Sequence, residues 1–417
     1  MSTPARDPAL APFRVRSFRF QWPADLAASW AFEMETLILG WYVLAETGSV
    51  LMLTLFASLQ YAGTLLSPLI GVAGHRLGNK RVFCAMRGLY LLLASMLAAL
   101  ALSGALQPLH VFVITALMGL VRPSDLVMRH ALIGETLPVA QFVGAASISR
   151  TTQDSARVMG ALTGAGLVAV LGVGIAYVVV TTFYLASLLL TLGVASSRTA
   201  PQTPSTLVPT TVLQDLKEGM LYVWRTPALQ AAIWLALLVN LTAFPLVNGL
   251  LPYVARSVYG TDQTGLGYMV AGFAGGALLG SLWLTRFGHG VKPARMMVGG
   301  CVVWYVLTLL FVQMDSLAAG IAMLLLSGLA QSLGMVAMAA LLLRVSEPRF
   351  RSRVMGVRML AIYTLPVGLM LSGPLIEQFG FRALGSAYCL AGLALTLWIG
   401  WHWRSQVWDS RAPANRG

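Results

Sequence analysis

The sequence predicts an all-α membrane protein whose twelve transmembrane helices form two six-helix bundles. Three observations lead to this fold class. The chain of 417 residues is 57% hydrophobic and only 10% charged, with a mean hydropathy of +0.76, whereas a soluble domain carries about 25% charged residues. Its apolar residues form twelve runs of the length that crosses a bilayer, about 20 residues each. A polar stretch divides these runs into two sets of six.

The predicted spans are short of charge and are joined by polar loops. They cover residues 22–45, 51–74, 83–104, 109–129, 143–170, 175–195, 229–252, 264–287, 294–314, 317–342, 354–376 and 383–403. The predicted domains are an amino-terminal bundle (1–195), a cytoplasmic linker (196–227) and a carboxy-terminal bundle (228–417). The linker starts rich in Ser, Thr and Pro. It ends in "LQDLKEGMLYVWRTP", whose apolar spacing predicts an amphipathic helix on the membrane surface.

The distribution of positive charge predicts the orientation. The net charge of +13 comes from 28 Lys and Arg against 15 Asp and Glu. The cations cluster in the termini and in alternate loops, whereas the opposite loops keep only Arg256 and Arg382. By the positive-inside rule, both termini are cytoplasmic and the chain is a multi-pass protein of the bacterial inner (plasma) membrane. The cations form no continuous patch, so we expect no nucleic-acid partner.

The motifs of enzymes and metal sites are missing from the sequence. The three cysteines lie inside apolar segments and the five histidines are scattered, so we expect no metal and no cofactor. There is no Walker A pattern and no recognisable Ser/His/Asp set, which argues against an ATPase and against an enzyme. The expected partners are the lipid bilayer, a small-molecule substrate and protons, and we expect a monomer.

The loop between the second and third spans reads "GVAGHRLGNKR" (71–81). Glycines allow a tight reversal, and cations anchor a loop at the cytoplasmic interface. The loop resembles the pattern G-x-x-x-D-R-x-G-R-R of the major facilitator superfamily, except that His75 and Asn79 replace Asp and Arg. This resemblance implies the twelve-helix fold of that superfamily and a conformational latch in this loop. The latch positions are Gly71, His75, Arg76, Gly78, Lys80 and Arg81. His75 makes the latch pH-sensitive in one interpretation and is an ordinary loop residue in the other.

Further segments resemble exporters of the same superfamily. "LVMRHALIGETLP", "ARVMGALTGAG" and "EPRFRSRVMG" fall where exporters of the enterobactin-exporter type have similar segments. The first span is similar to that of siderophore exporters. The fifth span resembles the glycine-rich antiporter motif, with Gly160 and Gly164 in place and Ala161 where proline is common. The resemblance therefore implies export by antiport.

Two carboxylates, Glu33 and Glu35, lie near the middle of the first span. A charge at a helix centre costs about 2.5–3.5 kcal/mol on insertion scales, so it needs a partner or water. The two residues point about 200° apart on a helix. Glu33 shares its side with small and polar residues, which favours it for the central cavity. A carboxyl group shielded from water takes up a proton more readily, as proton coupling requires. The alternative for either residue is a structural pair with an arginine.

Spans four and five each carry a trio of charges on one helix face, at spacings of three, four and seven. These trios are Arg122, Asp125 and Arg129, and Arg150, Asp154 and Arg157. In one interpretation they join the two spans into a rigid unit. In the other, Arg122 or Arg157 binds an anionic substrate, and Asp125 and Asp154 join the glutamates in proton coupling. The second half offers Asn240 and Asn248 as further substrate contacts.

The resemblance and the intramembrane charges together predict a secondary active transporter. It would export a small amphiphilic or anionic molecule by proton antiport and alternating access. A siderophore suits the basic intramembrane residues, and multidrug efflux is the alternative within this class. A non-transporting assembly factor built on the same fold is an interpretation of another class, and the intramembrane carboxylates argue against it.

Overall fold

The computed structural model describes residues 8–66, 70, 74, 77–138, 141–195, 212–287, 292–347 and 350–407. Within these ranges every regular element is a helix, and nine helices are long and apolar enough to cross a membrane. The predicted all-α membrane fold is therefore confirmed. Gly71, His75 and Arg76 of the predicted latch and the linker residues 196–211 lie outside the described residues.

Within the described residues, the first half of the chain contains six α-helices. They are α1 (Arg16–Thr47), α2 (Val50–Leu59), α3 (Asn79–Leu102), α4 (Pro108–Val121), α5 (Asp125–Thr136) and α6 (Phe142–Leu192). Helices α4 and α5 form one span, because only a 3₁₀ turn at Arg122–Ser124 separates them. Pro123 lacks a backbone N–H and breaks the α-helical ladder at this turn.

Helix α6 accounts for two predicted spans. Its 51 residues would extend about 75 Å at 1.5 Å per residue, far beyond a hydrocarbon core of about 30 Å. Gly172 interrupts it with φ 77° and ψ 172°, a conformation that glycine adopts without a Cβ clash. Splitting α6 at Gly172 and adding α1 and the short apolar α2 to the nine apolar helices gives twelve spans.

The described part of the second half contains eight further α-helices of ten residues or more. They are α7 (Val212–Arg225), α8 (Pro227–Phe244), α9 (Gln263–Phe287), α10 (Pro293–Gln313), α11 (Leu317–Val345), α12 (Arg351–Leu360), α13 (Thr364–Phe379) and α14 (Phe381–His402). Close packing in this half uses glycine. A Cβ on Gly276 of α9 would lie 1.8 Å from the carbonyl oxygen of Leu325 on α11, and one on Gly328 of α11 would lie 1.9 Å from that of Phe273. Small residues let these two backbones touch.

Helix α7 packs against the start of α12. The ring of Tyr222 stacks on Phe350 with centroids 4.3 Å apart, and Glu218 forms a 2.9 Å ion pair with Arg353. The opposite side of α7 leaves Leu221 and Trp224 exposed. The helix therefore has the two faces that the sequence predicts, and its position on a membrane surface stays a prediction.

The chain groups into two compact units. Unit 1 comprises Met1–Thr206 and Pro252–Ala271, and unit 2 comprises Leu207–Leu251 and Gly272–Gly417. The segment Pro252–Ala271 packs on the first-half helices. Arg256 donates a 2.5 Å hydrogen bond to the carbonyl oxygen of Leu44 near the end of α1. The division into bundles at residues 195 and 228, and the cytoplasmic placement of both termini, stay predictions.

Candidate functional site

Helix α1 carries the polar groups around which unit 1 is organised. Its side chains contact charged residues of α3, α5 and α6, as well as Gln60 after α2 and Arg122 after α4. The buried contacts of α1 form three polar clusters with different chemistry.

The first cluster is a charge quartet of Asp25, Arg87, Asp125 and Arg129. Arg87 lies 3.0 Å from Asp25 and 3.2 Å from Asp125. Arg129 lies 2.5 Å from Asp125 and 3.5 Å from Asp25, and it also donates a 2.9 Å hydrogen bond to Ser29. All four charged side chains are at least 93% buried.

The quartet is electrically balanced, with two carboxylates and two guanidinium groups. Balance matters because desolvating a single ion in a protein costs several kcal/mol, which only close opposite charges offset. Asp25 belongs to α1, Arg87 to α3, and Asp125 and Arg129 to α5. The ion pairs of the quartet therefore connect the three helices α1, α3 and α5.

The second cluster is an acid cage around Glu35. Tyr184 donates a 2.9 Å hydrogen bond to one carboxyl oxygen of Glu35, and Tyr177 donates a 3.3 Å hydrogen bond to the other. Glu35 is 3% exposed and both tyrosines are fully buried. Within the described residues no cation lies at ion-pair distance from Glu35. It is thus a buried acid held by neutral donors.

The third cluster surrounds Arg122 and borders the acid cage. Arg122 donates hydrogen bonds to Gln60 (2.7 Å), Thr36 (2.9 Å) and the carbonyl oxygen of Phe32 (3.1 Å). Its guanidinium group also lies 3.8 Å from the centroid of the Phe32 ring. A cavity of about 10 Å³ has Glu35, Gln60 and Arg122 among its lining residues. A cavity of about that size has room for one water molecule.

The other glutamate of the first span contacts α6. Glu33 lies 3.5 Å from Arg157, and the two side chains are 26% and 38% exposed. Asp154, one turn before Arg157, is buried and accepts a 3.2 Å hydrogen bond from the largely exposed Arg150. Glu33 is therefore the loosely paired, partly exposed acid of α1, and Glu35 is the buried one.

The glycines of the fifth span lie where α6 crosses α1. A Cβ on Gly160 would lie 2.6 Å from the Cβ of Glu33 and 3.1 Å from the carbonyl oxygen of Trp30. A Cβ on Gly164 would lie 3.1 Å from the Cα of Met34. The antiporter-like motif thus has a geometric role in unit 1, which is to let two backbones touch.

Replacing Gly160 with leucine is expected to destabilise the protein by about 1–3 kcal/mol, because the added side chain overpacks the contact with α1. Thermal unfolding in detergent measures the effect. Gly166→Leu is the matched control on the same helix, since a Cβ there meets nothing within 4 Å. Equal melting temperatures for the two variants would contradict the proposed crossing.

The remaining predicted site residues are dispersed. In unit 2, the amide of Asn240 donates to the carbonyl oxygen of Ala236 on its own helix at 2.8 Å, and Asn248 is exposed in a π-helical turn. The described part of the predicted latch precedes or begins α3. Gly78 has φ 94°, Lys80 donates to the carbonyl oxygen of Leu192 at 2.8 Å, and Arg81 is exposed. These residues join none of the three clusters.

Several residues of the three clusters were not predicted as site residues from the sequence. Asp25 and Arg87 complete the quartet, and Tyr177 and Tyr184 build the cage. A signal existed for the charged pair, because each is an ionisable residue inside an apolar run. The tyrosines gave no such signal, since tyrosines in membrane spans commonly pack or anchor at the interface.

The chain is similar to known transporters. It is 28% identical over 380 residues, 85% of this chain and 88% of the relative, to the "Multidrug efflux pump Tap" of Mycolicibacterium fortuitum. Its fold is similar to that of a bacterial homologue of the human lysosomal transporter Spinster, with a TM-score of 0.75 at 13% identity, over 96% of this chain and 99% of that one. The structure of the POT family transporter PepTSo matches with a TM-score of 0.72 at 10% identity, over 94% and 99% of the two chains.

The family assignment rests on almost the whole chain. Residues 7–415 match the family described as transmembrane secretion effector, which is part of the major facilitator superfamily. The predicted superfamily is therefore confirmed, as is the prediction that the protein is not an enzyme. The chain belongs to the transmembrane secretion effector family and is a multi-pass membrane transporter of the major facilitator type.

Proposed function

We propose that the protein exports small amphiphilic molecules from a bacterial cell by proton antiport, acting as a monomer in the plasma membrane. Glu35 carries the coupling proton in this proposal. The observation that supports it is the environment of Glu35, a buried carboxyl group that two tyrosine hydroxyls hold and that no described cation approaches to ion-pair distance.

Arg122 couples the protonation state of Glu35 to a conformational change. With Glu35 protonated, the group is neutral and Arg122 stays on its neutral partners Gln60 and Thr36. When Glu35 loses its proton, the new negative charge faces Arg122 across a shared cavity. Charges attract strongly in a medium of low dielectric constant, so Arg122 moves toward Glu35 and releases Gln60 and Thr36. Spans one, two and four then change their mutual contacts, as alternating access requires.

Multidrug efflux is the first choice of substrate class, because the relative of 28% identity is a multidrug efflux pump. A siderophore is the second candidate. The partly exposed Arg157 beside Glu33 favours it, since a loosely held guanidinium group can bind an anionic chelator. The same pair also suits a cationic drug, which would compete with Arg157 for the Glu33 carboxylate.

Transport by the full-length protein in proteoliposomes tests the proposal. With an imposed pH gradient, we expect wild type to move ethidium or the chelator enterobactin against a concentration gradient, together with protons. Glu35→Gln keeps the shape of the side chain but holds no exchangeable proton, so it should abolish uphill transport.

Glu33→Gln is the matched control for this experiment, since it alters the neighbouring acid of the same helix. It should retain proton coupling and change only the half-saturating concentration of a charged substrate. Uphill transport by Glu35→Gln would overturn the role of Glu35. A wild-type protein that moves none of the probes would favour the assembly-factor alternative.

A further inference from the structure

Helix α7 of unit 2 has an exposed face that combines large apolar side chains with cations. Met220, Leu221 and Trp224 are between 40% and 59% exposed, and Lys217 and Arg225 are exposed as well. These residues are three, four or seven positions apart, so they lie on one side of the helix. An apolar stripe with Lys and Arg beside it is typical of a helix that lies in the headgroup region of a membrane.

The described acidic side chain of α7 lies on the opposite side of the helix. Glu218 forms its 2.9 Å ion pair with Arg353 of α12, so its charge is already used inside unit 2. Among the described side chains, the exposed face of α7 is therefore positively charged. Such a face complements a negatively charged surface and repels a basic one.

The end of α7 is fixed beside a spanning helix. Thr226 alone separates α7 from α8, and the side chain of Gln230 on α8 donates a 2.6 Å hydrogen bond to the carbonyl oxygen of Trp224. The ring centroid of Trp224 lies 6.3 Å from that of Trp234, which is seven residues and so about 10 Å along α8. Both indoles are exposed, and α8 is long and apolar enough to cross a membrane. The exposed face of α7 therefore continues the lipid-facing surface of α8, which makes the bilayer its occupant.

The inner face of α7 holds the end of α11 and the start of α12. The ring of Tyr222 stacks on Phe350, which precedes α12, and its hydroxyl accepts a 3.2 Å hydrogen bond from the backbone N–H of Glu347, which follows α11. A Cβ on Gly219 would lie 3.0 Å from the carbonyl oxygen of Arg353, so the two helices are in close contact. Since α12 begins a span that continues into α13, α7 connects the lipid-facing surface to the end of that span.

We propose that the exposed face of α7 is a binding site for the anionic headgroups of phospholipids. Lys217 and Arg225 bind the lipid phosphates, and the apolar side chains between them lie at the boundary of headgroups and acyl chains. Bound lipid holds α7 in place, and Tyr222 passes this restraint on to the start of α12. The site does not depend on the proposed proton coupling.

Hydrogen exchange followed by mass spectrometry tests the site, because it reports the opening of α7 and α12 separately. Full-length protein is compared in nanodiscs of phosphatidylcholine alone and of phosphatidylcholine mixed with phosphatidylglycerol. We expect phosphatidylglycerol to slow amide exchange in α7 roughly 30-fold, since each of two cations at an anionic surface contributes about five-fold. Exchange in α12 should slow as well. High salt should remove most of both effects, because it screens surface charge.

Substitutions of the exposed cations assign the effect to this face. Lys217→Gln combined with Arg225→Gln should exchange at the same rate in both kinds of nanodisc, and Arg225→Gln alone should lose about five-fold of the protection. Both positions are exposed, so the variants should fold like wild type. Arg382→Gln is the control, since it removes a cation from another exposed ion pair of unit 2 and should keep the full effect.

Tyr222→Leu tests the connection to α12, because it removes the ring stacking and the hydroxyl but leaves the exposed face intact. Phosphatidylglycerol should still slow exchange in α7 of this variant and should no longer slow it in α12.

Three results would overturn the proposal. Equal exchange of wild-type α7 in both kinds of nanodisc would mean that α7 does not recognise anionic headgroups. Full protection in the double variant would place the lipid site elsewhere. Exchange in α7 that slows with rising protein concentration in lipid-free detergent would show that a second copy of the chain covers this face.

Discussion

Replacing Arg87 with methionine is expected to destabilise the protein by about 3–5 kcal/mol, the usual cost of breaking a buried ion pair on one side. The change leaves Asp25 and Asp125 sharing Arg129 as their single counter-charge. Methionine fills much of the arginine volume and packs flexibly, so the loss is mainly electrostatic. Denaturant and thermal unfolding in detergent, followed by helical circular dichroism, measure it.

A double variant separates charge balance from packing at the quartet. Arg87→Met with Asp125→Asn restores neutrality, because one carboxylate and one guanidinium group remain, and it should recover a substantial part of the lost stability. Arg382→Met is the surface control, since the side chains of Arg382 and its partner Asp315 are 52% and 82% exposed and exposed pairs contribute only about 0–1 kcal/mol. An Arg87→Met variant as stable as Arg382→Met would contradict the account of the quartet.

The fold could be predicted from the sequence because the bilayer leaves few solutions. A spanning backbone in lipid must satisfy its own hydrogen bonds, so a run of about 20 apolar residues has to be a helix. The observed helices differ from the predicted spans at two positions, where a proline or a glycine sets the backbone conformation. Pro123 divides the fourth span, and Gly172 is the only interruption between the fifth and sixth.

The site was only partly predictable, because helical periodicity gives the side on which a residue lies and not the partner on another helix. Small and polar neighbours favoured Glu33 for a cavity. In unit 1 that side of α1 meets Gly160 and Gly164 of α6, so small residues there mark a helix crossing. The partners of Glu35 are tyrosines about 140 residues away, a distance that no local pattern spans.

Arg122→Lys is expected to lower the maximal transport rate roughly 100-fold while the protein still folds. Arg122 makes three hydrogen bonds with two of its nitrogens and also lies over the ring of Phe32. Lysine keeps the charge but presents one compact ammonium group, which cannot reproduce this planar fork. The same planar fork must also hydrogen-bond the ionised carboxyl group of Glu35 when Arg122 moves toward it. A hydrogen bond to a charged group contributes about 1.5–3 kcal/mol, and 2.7 kcal/mol corresponds to about 100-fold in rate.

The expected fall in the transport rate of Arg122→Lys comes from the geometry of the guanidinium group and not from its charge. A second Arg→Lys variant at an exposed site tests this distinction. Arg382→Lys makes the same substitution at an exposed ion pair with Asp315, so its transport rate should match wild type. If charge alone mattered at position 122, Arg122→Lys would behave in the same way. Wild-type transport by Arg122→Lys would therefore mean that the contacts with Gln60, Thr36 and Phe32 do not hold the coupling arginine in place. The movement of Arg122 toward Glu35 would then lose its structural basis.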